Sequence, residues 1–376
     1  MERGAGAARR PQRWLVAGWL GLLAAGGAGG CYYAQLAAGQ LRVLCGRVPL
    51  AEAARDPRLS EEERRLLRLA PAVLAFADTV MGMERAGAYE TFYDTGAEAV
   101  SYNVSACAKT SFRRVFWRYP LIGAMPYKGY FDRAAAEAEA ARLRAQGLDA
   151  RVSGVAAYST LGWFRDPIFR SMLRGGEVSF VVTLLHEIAH ATVFRDGDAA
   201  FNESLATFAG EQGALDFYAA RDGVGSAAWR RAWEEIHDQR VVAAAMRALY
   251  QRLWRLYASP VSEADKLAGR ERIFEAARGL FGRLVRERLR TGRWDWLGRL
   301  ALDNCVVLAF QTYHGRQRLF AEVYRQVGRD WRRFFAVVRE AARAPAPFRW
   351  LDRWSRGREQ LRARAGRGEG RSLPPG

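Results

Sequence analysis

Residues 186–190 read HEIAH. On a helix, positions i and i+4 share a face, so His186 and His190 can offer two imidazoles to one metal ion. Glu187, one residue along, can reach a water bound to that metal. Three fixed positions in five do occur by chance, so the surroundings must decide. Glu187 is the only Asp, Glu, Lys or Arg between residues 178 and 194, in a chain that is 26% charged. That pattern predicts a buried helix, and a buried helix that keeps His, Glu and His needs a reason, because unpaired polar groups in a core are costly. Two of the chain's four histidines lie here. A third ligand follows at a suitable distance: after RDGDAAF comes NESLATFAGEQG, another helical stretch, with Glu203 thirteen residues past His190. A helix, a short turn and a returning helix can bring Glu203 back to the metal. Glu211, two turns further on a similar face, is the reserve ligand, its plainer role being a helix-surface carboxylate. Glu203 is preferred because it falls in an Asn-Glu pair opening the helix. Two His and one Glu with water in the fourth position is a catalytic zinc set, which predicts one Zn²⁺ per chain. The plain alternative is a core helix with a satisfied His/Glu/His hydrogen-bond network. His237 and His314 lie in helical text and are expected at the surface or in the core rather than on the metal.

The elements that must hold these residues are legible from periodicity and caps. Residues 31–87 read as an N-terminal helical segment, with Ser60 and Glu63 at capping-box spacing. Residues 88–131 are rich in Tyr, Phe, Thr, Val and Gly and read as strands and loops of a small sheet. An Ala-rich helix capped by Asp132 and stopped by Gly147 precedes an alternating strand over 148–158. These make an α+β sheet region, 88–175. The helical zinc-binding catalytic region is 176–343, and 344–376 is a basic tail expected to be largely disordered. The fold class predicted is α+β and mostly helical, with a small sheet-containing region packed on a helical bundle and substrate in the cleft between them.

The chain has 376 residues and is 50% apolar, a globular composition long enough to bury a core without staples. Its net charge is +18, but lysine supplies only three of its 58 basic residues, Lys109, Lys128 and Lys266. Nucleic acid is therefore not expected as a partner, and the arginine excess is left with anionic lipid or polymer as a candidate partner. The four cysteines form no CxxC and no Cys/His cluster. A Cys45–Cys107 bridge is conceivable in an oxidising compartment, and isolated buried thiols are the plainer expectation.

Residues 1–30 have the layout of a secretory signal: Arg3, Arg9, Arg10 and Arg13, then the apolar run 14–25, then GGAGGC ending at Cys31. The apolar run is shorter than the roughly 20 residues a membrane span needs. Cysteine directly after small residues resembles a bacterial lipoprotein signal, with Ala28 where such signals more often have Leu. The expectation is cleavage before Cys31, lipidation of Cys31, and a place on the periplasmic side of the bacterial envelope, anchored to the outer rather than the inner membrane. An ordinary signal peptide or an uncleaved anchor would also export the rest.

HEIAH followed by FNESLATF resembles the gluzincin type of zincin metallopeptidase, in which a helix bearing HExxH precedes a helix bearing Asn-Glu. The gap is shorter than in thermolysin-like enzymes. More specifically, CYYAQLAAGQL, PYKGYFD, GVAAYSTLGWFRDPIF, HEIAHATVF, GDAAFNESLATF and the late Asp330-Trp331…Phe334 resemble a family of bacterial lipoproteins known as predicted aminopeptidases, over about residues 31–340. The resemblance implies a zincin-like fold and a zinc-dependent peptidase with a peptide substrate. His186, His190 and Glu203 would then hold the zinc and Glu187 would serve as general base. Tyr158 is the first candidate for the donor to the developing oxyanion and Tyr313 the second, although tyrosine is also common in cores. An aminopeptidase needs carboxylates for the free amine; residues 123–127 read GAMPY, with Pro126 where gluzincin aminopeptidases carry a Glu, which leaves Glu90, Asp94 and Asp166 as substitutes. The competing class is a non-catalytic envelope lipoprotein that binds anionic lipid or cell-wall polymer through a basic surface.

Overall fold

The computed structural model describes residues 28–119, 123–157, 160 and 164–368, with side chains from residue 36 to 359. The contact pattern divides the chain between Arg47 and Val48. The first unit contributes one described helix, α1 (Ala28–Gly46), whose first turn contains Cys31. The basic and apolar segments before it lie outside the described residues, as does Tyr158. Among the described residues no helix is long and apolar enough to cross a membrane.

The second unit, taken by itself, is mostly helical with small sheets. It opens with β1 (Val48–Pro49), the short α2 (Leu50–Ala53) and α3 (Glu61–Phe76). The expected capping box is formed: the Ser60 amide donates to Glu63 Oε2 at 2.7 Å and the Glu63 amide to Ser60 Oγ at 3.2 Å. Leu66, Leu67, Ala70, Val73 and Leu74 make the buried face of α3. Apart from β1, which lies in the segment read as helical, the strands lie between residues 88 and 175: β2 (Thr91–Tyr93), β3 (Ser101–Cys107), β4 (Trp117–Tyr119), β5 (Gly123–Met125), β6 (Lys128–Tyr130), β7 (Asp149–Val155) and β8 (Ile168–Phe169). One sheet has the order β1-β2-β8, a second β6-β3-β7, and β4 and β5 form a ribbon. β3 pairs antiparallel with β7 along its whole length, from Ser101↔Val155 to Cys107↔Asp149. Between β6 and β7 runs α4 (Arg133–Ala145), capped by Asp132, which accepts from the Ala135 amide at 2.7 Å. It buries Ala136, Ala140 and Leu143 and packs on β3 and β7. Gly147, at φ +81°, reverses the chain into β7.

After the short α5 (Arg170–Leu173) come α6 (Gly176–Thr192), α7 (Ala199–Asp222), α8 (Ala227–Ala258), α9 (Glu263–Arg288), α10 (Asn304–His314), α11 (Gln317–Gln326), α12 (Trp331–Arg343) and α13 (Pro347–Gly368). Ser226, Ser262, Asp303 and Asp330 each cap the helix they precede through a side-chain oxygen. α10 packs on α7 and α8 and also on β3 and β7, so it joins the sheet to the helical body. Arg270 and Asp149 form a buried ion pair at 3.0 Å, and Asp149 also accepts from the Asn304 amide at 3.0 Å, which fixes the start of α10 against β7. Under α7, Phe208, Phe320, Tyr324, Trp331 and Phe334 form an aromatic core cluster, which accounts for the Trp331…Phe334 spacing read in the sequence. Two details differ from expectation. Residues 347–368 of the basic tail are helical, with Leu351 fully buried. Cys107 and Cys305 are buried thiols as expected but not isolated ones, their sulfurs lying 3.3 Å apart, and Cys45 is an exposed thiol.

Candidate metal centre

α6 and α7 form a helical hairpin whose tight crossing depends on glycine. A Cβ on Gly210 would stand 2.6 Å from the Val182 carbonyl oxygen and 3.3 Å from His186 Cβ. Without it the helices come close enough for α7 to reach the histidine face of α6. The turn between them is clamped by Asn202, whose Oδ1 accepts from the Arg195 amide at 2.9 Å and whose Nδ2 donates to the Arg195 carbonyl at 2.8 Å. Asp198 caps α7 by accepting from the Phe201 amide at 3.0 Å. These bonds set the register in which Glu203 faces α6, so the Asn of the Asn-Glu pair orders the turn while the Glu faces the histidines.

His186, His190 and Glu203 converge. Their donor atoms lie 3.1 Å apart (Nε2 to Nε2), 3.3 Å (His186 Nε2 to Glu203 Oε2) and 3.6 Å (His190 Nε2 to Glu203 Oε2). Metal–ligand bonds of about 2.0–2.1 Å spread at tetrahedral angles separate their donors by about 3.3–3.4 Å. The observed spacings bracket that value. Glu203 Oε2 is buried and accepts no hydrogen bond although two ring nitrogens face it. A carboxylate oxygen orphaned between two imidazoles is what a cation would satisfy. The three side chains keep only 10–15% of their surface exposed, so leaving them unpaired would be expensive. The donor set therefore fits a metal, and the 3.1 Å contact between the two imidazoles leaves Glu203 Oε2 unsatisfied.

The electrostatics agree. Burial alone would raise the Glu203 carboxyl pKa, yet the two imidazoles outweigh it and hold it far below the carboxylate range. For His190, burial disfavours the charged ring, but Glu203 and then Glu187 outweigh that and its pKa rises. Glu187 is buried, and desolvation pushes its carboxyl up against the pull of both imidazoles, with the like charge of Glu203 adding. Glu211 does not join the cluster. Its Oε2 accepts from Arg240 Nε at 3.0 Å, and its Oε1 lies 3.8 Å from His314 Nδ1. His314 is buried, as expected for a core residue, and burial, with His186 and Arg247, pushes its pKa down to about 4. His237 stacks on Trp233 at 5.1 Å, away from the ligands.

Two tyrosines attend the site. Tyr313, itself exposed, stacks on His186 with ring centroids 6.2 Å apart, and the negative charge of Glu203 lifts its phenol well above the ordinary value. The Ser204 hydroxyl, next to Glu203, donates to the Thr312 carbonyl at 3.0 Å and so fixes the end of α10 that carries Tyr313. Tyr127, in the turn between β5 and β6, was not singled out by the sequence. Its phenol is pushed up by burial and then by Glu203, Tyr119 and Glu187, which places it in the field of both site carboxylates. Its only sequence signal is its place in the PYKGYFD stretch. The three carboxylates considered for a substrate amine are engaged elsewhere: Glu90 with Arg85 at 2.8 Å, Asp94 with Arg170 at 3.1 Å, and Asp166 with the Thr160 hydroxyl at 2.8 Å.

No curated protein and no solved structure matches the chain. Residues 31–350, a span that includes α6, α7, Tyr127 and Tyr313, match the model of the family described as "Putative aminopeptidase", and the chain belongs to that family.

Proposed function

We propose that the chain is a zinc-dependent peptidase of the gluzincin type on a zincin-like fold, removing residues from peptide N-termini in the bacterial envelope. One observation carries the reading: two histidines of one helix and a glutamate of the next converge with donor spacings suited to a tetrahedral metal, and only three protein donors are grouped among the described residues. A structural zinc site is normally closed by four protein ligands, so a three-ligand set favours catalysis over the envelope-binding alternative. The sequence before Cys31 supports export, cleavage and lipidation of Cys31, with the chain held on the periplasmic side.

His186, His190 and Glu203 would hold the zinc. When bound, zinc supplies Lewis acidity and lowers the pKa of a water to about 7. Glu187 then takes the proton of the attacking water and returns it to the leaving amine. A carboxyl whose pKa is raised by burial suits both halves of that task near neutral pH. Tyr313 would donate its hydroxyl to the carbonyl oxygen as charge builds there, and with its pKa raised it stays protonated throughout the working range. Tyr158 keeps its place as an alternative donor and Tyr127 joins it.

The test is metal content and peptide hydrolysis in parallel. The purified chain should carry about one zinc and release the first residue of peptides with a free amine. Glu203→Gln should lose the zinc. Glu187→Gln should keep it and lose turnover by about 10²–10⁴-fold. Full hydrolysis by Glu187→Gln would defeat the mechanism. Cleavage of N-acetylated peptides at an equal rate would replace the exopeptidase reading with an endopeptidase.

A further inference from the structure

Cys107 ends β3 and Cys305 is the second residue of α10, 198 positions later, yet their sulfurs lie 3.3 Å apart. Both are buried, at 1% and 5% exposure. Cys305 Sγ also sits 3.4 Å from the Asp149 carbonyl, on the strand paired with β3. Nothing in the metal site uses either thiol. A disulfide needs an S–S distance of about 2.05 Å, so the two atoms have to close by only about 1.2 Å. Asp149 holds both Arg270 and the first amide of α10, so the backbone on each side of the pair is already fixed.

We propose that Cys107 and Cys305 form a structural disulfide that fastens the β6-β3-β7 sheet to α10, the helix that carries Tyr313 at its other end. The oxidant is a disulfide of an oxidising compartment, either a protein dithiol oxidase or glutathione disulfide. One cysteine, as thiolate, attacks the oxidant disulfide, forms a mixed disulfide and releases the first thiol. The second attacks the protein sulfur of that mixed disulfide and releases the other thiol. The protein gives up two protons and two electrons, and one oxidant disulfide becomes two thiols. Because both sulfurs are buried in the folded chain, the exchange belongs to folding, before α10 closes over β3. The proposal is independent of the peptidase reading, since it concerns neither metal nor substrate.

The full chain, refolded from the reduced state in an oxidising glutathione buffer, is denatured and alkylated, and its peptides are mapped. Alkylatable cysteines should fall from the four of the sequence to two, with Cys107 and Cys305 recovered in one linked peptide. The melting temperature of the oxidised chain should exceed that of the reduced chain by about 5–10 °C. That difference should vanish in Cys305→Ser. A Cys31→Ser/Cys45→Ser chain gives a second readout that excludes scrambling: its two remaining thiols should disappear together. Recovery of Cys107 and Cys305 both alkylated from chain refolded to the native state in the oxidising buffer would overturn the proposal, as would a Cys45–Cys107 linkage.

Discussion

His190 and Glu203 shift each other's pKa in opposite directions, and the consequence for metal binding has a definite sign. In the metal-free chain the raised His190 contributes stability that is fully present below its unfolded pKa and is lost as pH rises through its folded pKa. The depressed Glu203 contributes stability present above its unfolded pKa and lost only as pH falls through its folded value. The metal-free site is therefore most stable between those two folded pKa values, with His190 protonated in the field of Glu203. A metal must displace that proton. Zinc affinity should thus rise with pH up to the raised folded pKa of His190, by up to tenfold per unit for one displaced proton. The stabilisation by added zinc, read as a thermal shift across that range, should grow with pH, and a flat profile would mean His190 is not a ligand. At the same scale Tyr313→Phe should keep its zinc and its KM while kcat falls by about 10²–10³ if the hydroxyl serves the oxyanion. An unchanged kcat would hand the role to Tyr158 or Tyr127, and Tyr127→Phe is then the informative variant.

The α6–α7 hairpin turns those side chains into a site, and its weakest tolerance is at Gly210. Alanine there would bring a methyl within 2.6 Å of a backbone oxygen that no rotamer change can move aside. The helices must separate, at a cost of about 1–3 kcal/mol, and Glu203 must withdraw from His186 and His190. Gly210→Ala should therefore lower both the melting temperature and the zinc affinity, although it touches no ligand. A variant that melts lower but binds zinc normally would show that the ligands do not depend on this crossing. The hairpin also shows which parts of the site were readable in advance. HEIAH and Glu203 were legible because helical spacing and a short turn fix their relation almost locally. The capping box at Ser60, the Asp132 cap and the alternating strand read over 148–158, which forms over Asp149–Val155, were legible for the same reason. Tyr127 and the Cys107–Cys305 pair were not, because only the packing of the sheet and α10 brings them to their partners. Gly210 read as an ordinary helix residue, since nothing local records that another helix crosses there. The tail misled by composition: its Arg, Gly and Pro content suggested disorder, while the apolar and small residues Phe348, Leu351 and Ser355 recur at helical spacing.

That tail decides how the whole molecule can be probed. The net charge of +18 makes the C-terminal arginines the natural place to look for anionic lipid or polymer binding, and the simplest experiment would remove the tail entirely. The structure separates its two halves. Phe348 lies against Phe201 and Phe320, with ring centroids 5.7 Å and 6.2 Å apart, and Phe201 is two residues from Glu203. Leu351 is fully buried, and Gln326 Nε2 donates to Ser355 Oγ at 2.9 Å. Arg195, in the turn that precedes α7, donates to the carbonyls of Ala342, Ala344 and Pro345. The start of α13 is thus part of the support under the α6–α7 hairpin. Ending the chain at Ala346 removes Phe348 and Leu351 together, two losses of the kind that each cost about 2–5 kcal/mol, and should reduce zinc content along with stability. Ending it at Glu359 removes Arg362, Arg364, Arg367 and Arg371 but keeps that support. This shorter truncation should melt, bind zinc and hydrolyse peptide as the full chain does, while its binding to anionic vesicles at low salt weakens if the distal arginines carry that binding. Loss of hydrolysis in the Glu359 chain with zinc retained would place the distal tail at the substrate, and would join the basic surface and the metal site in one function.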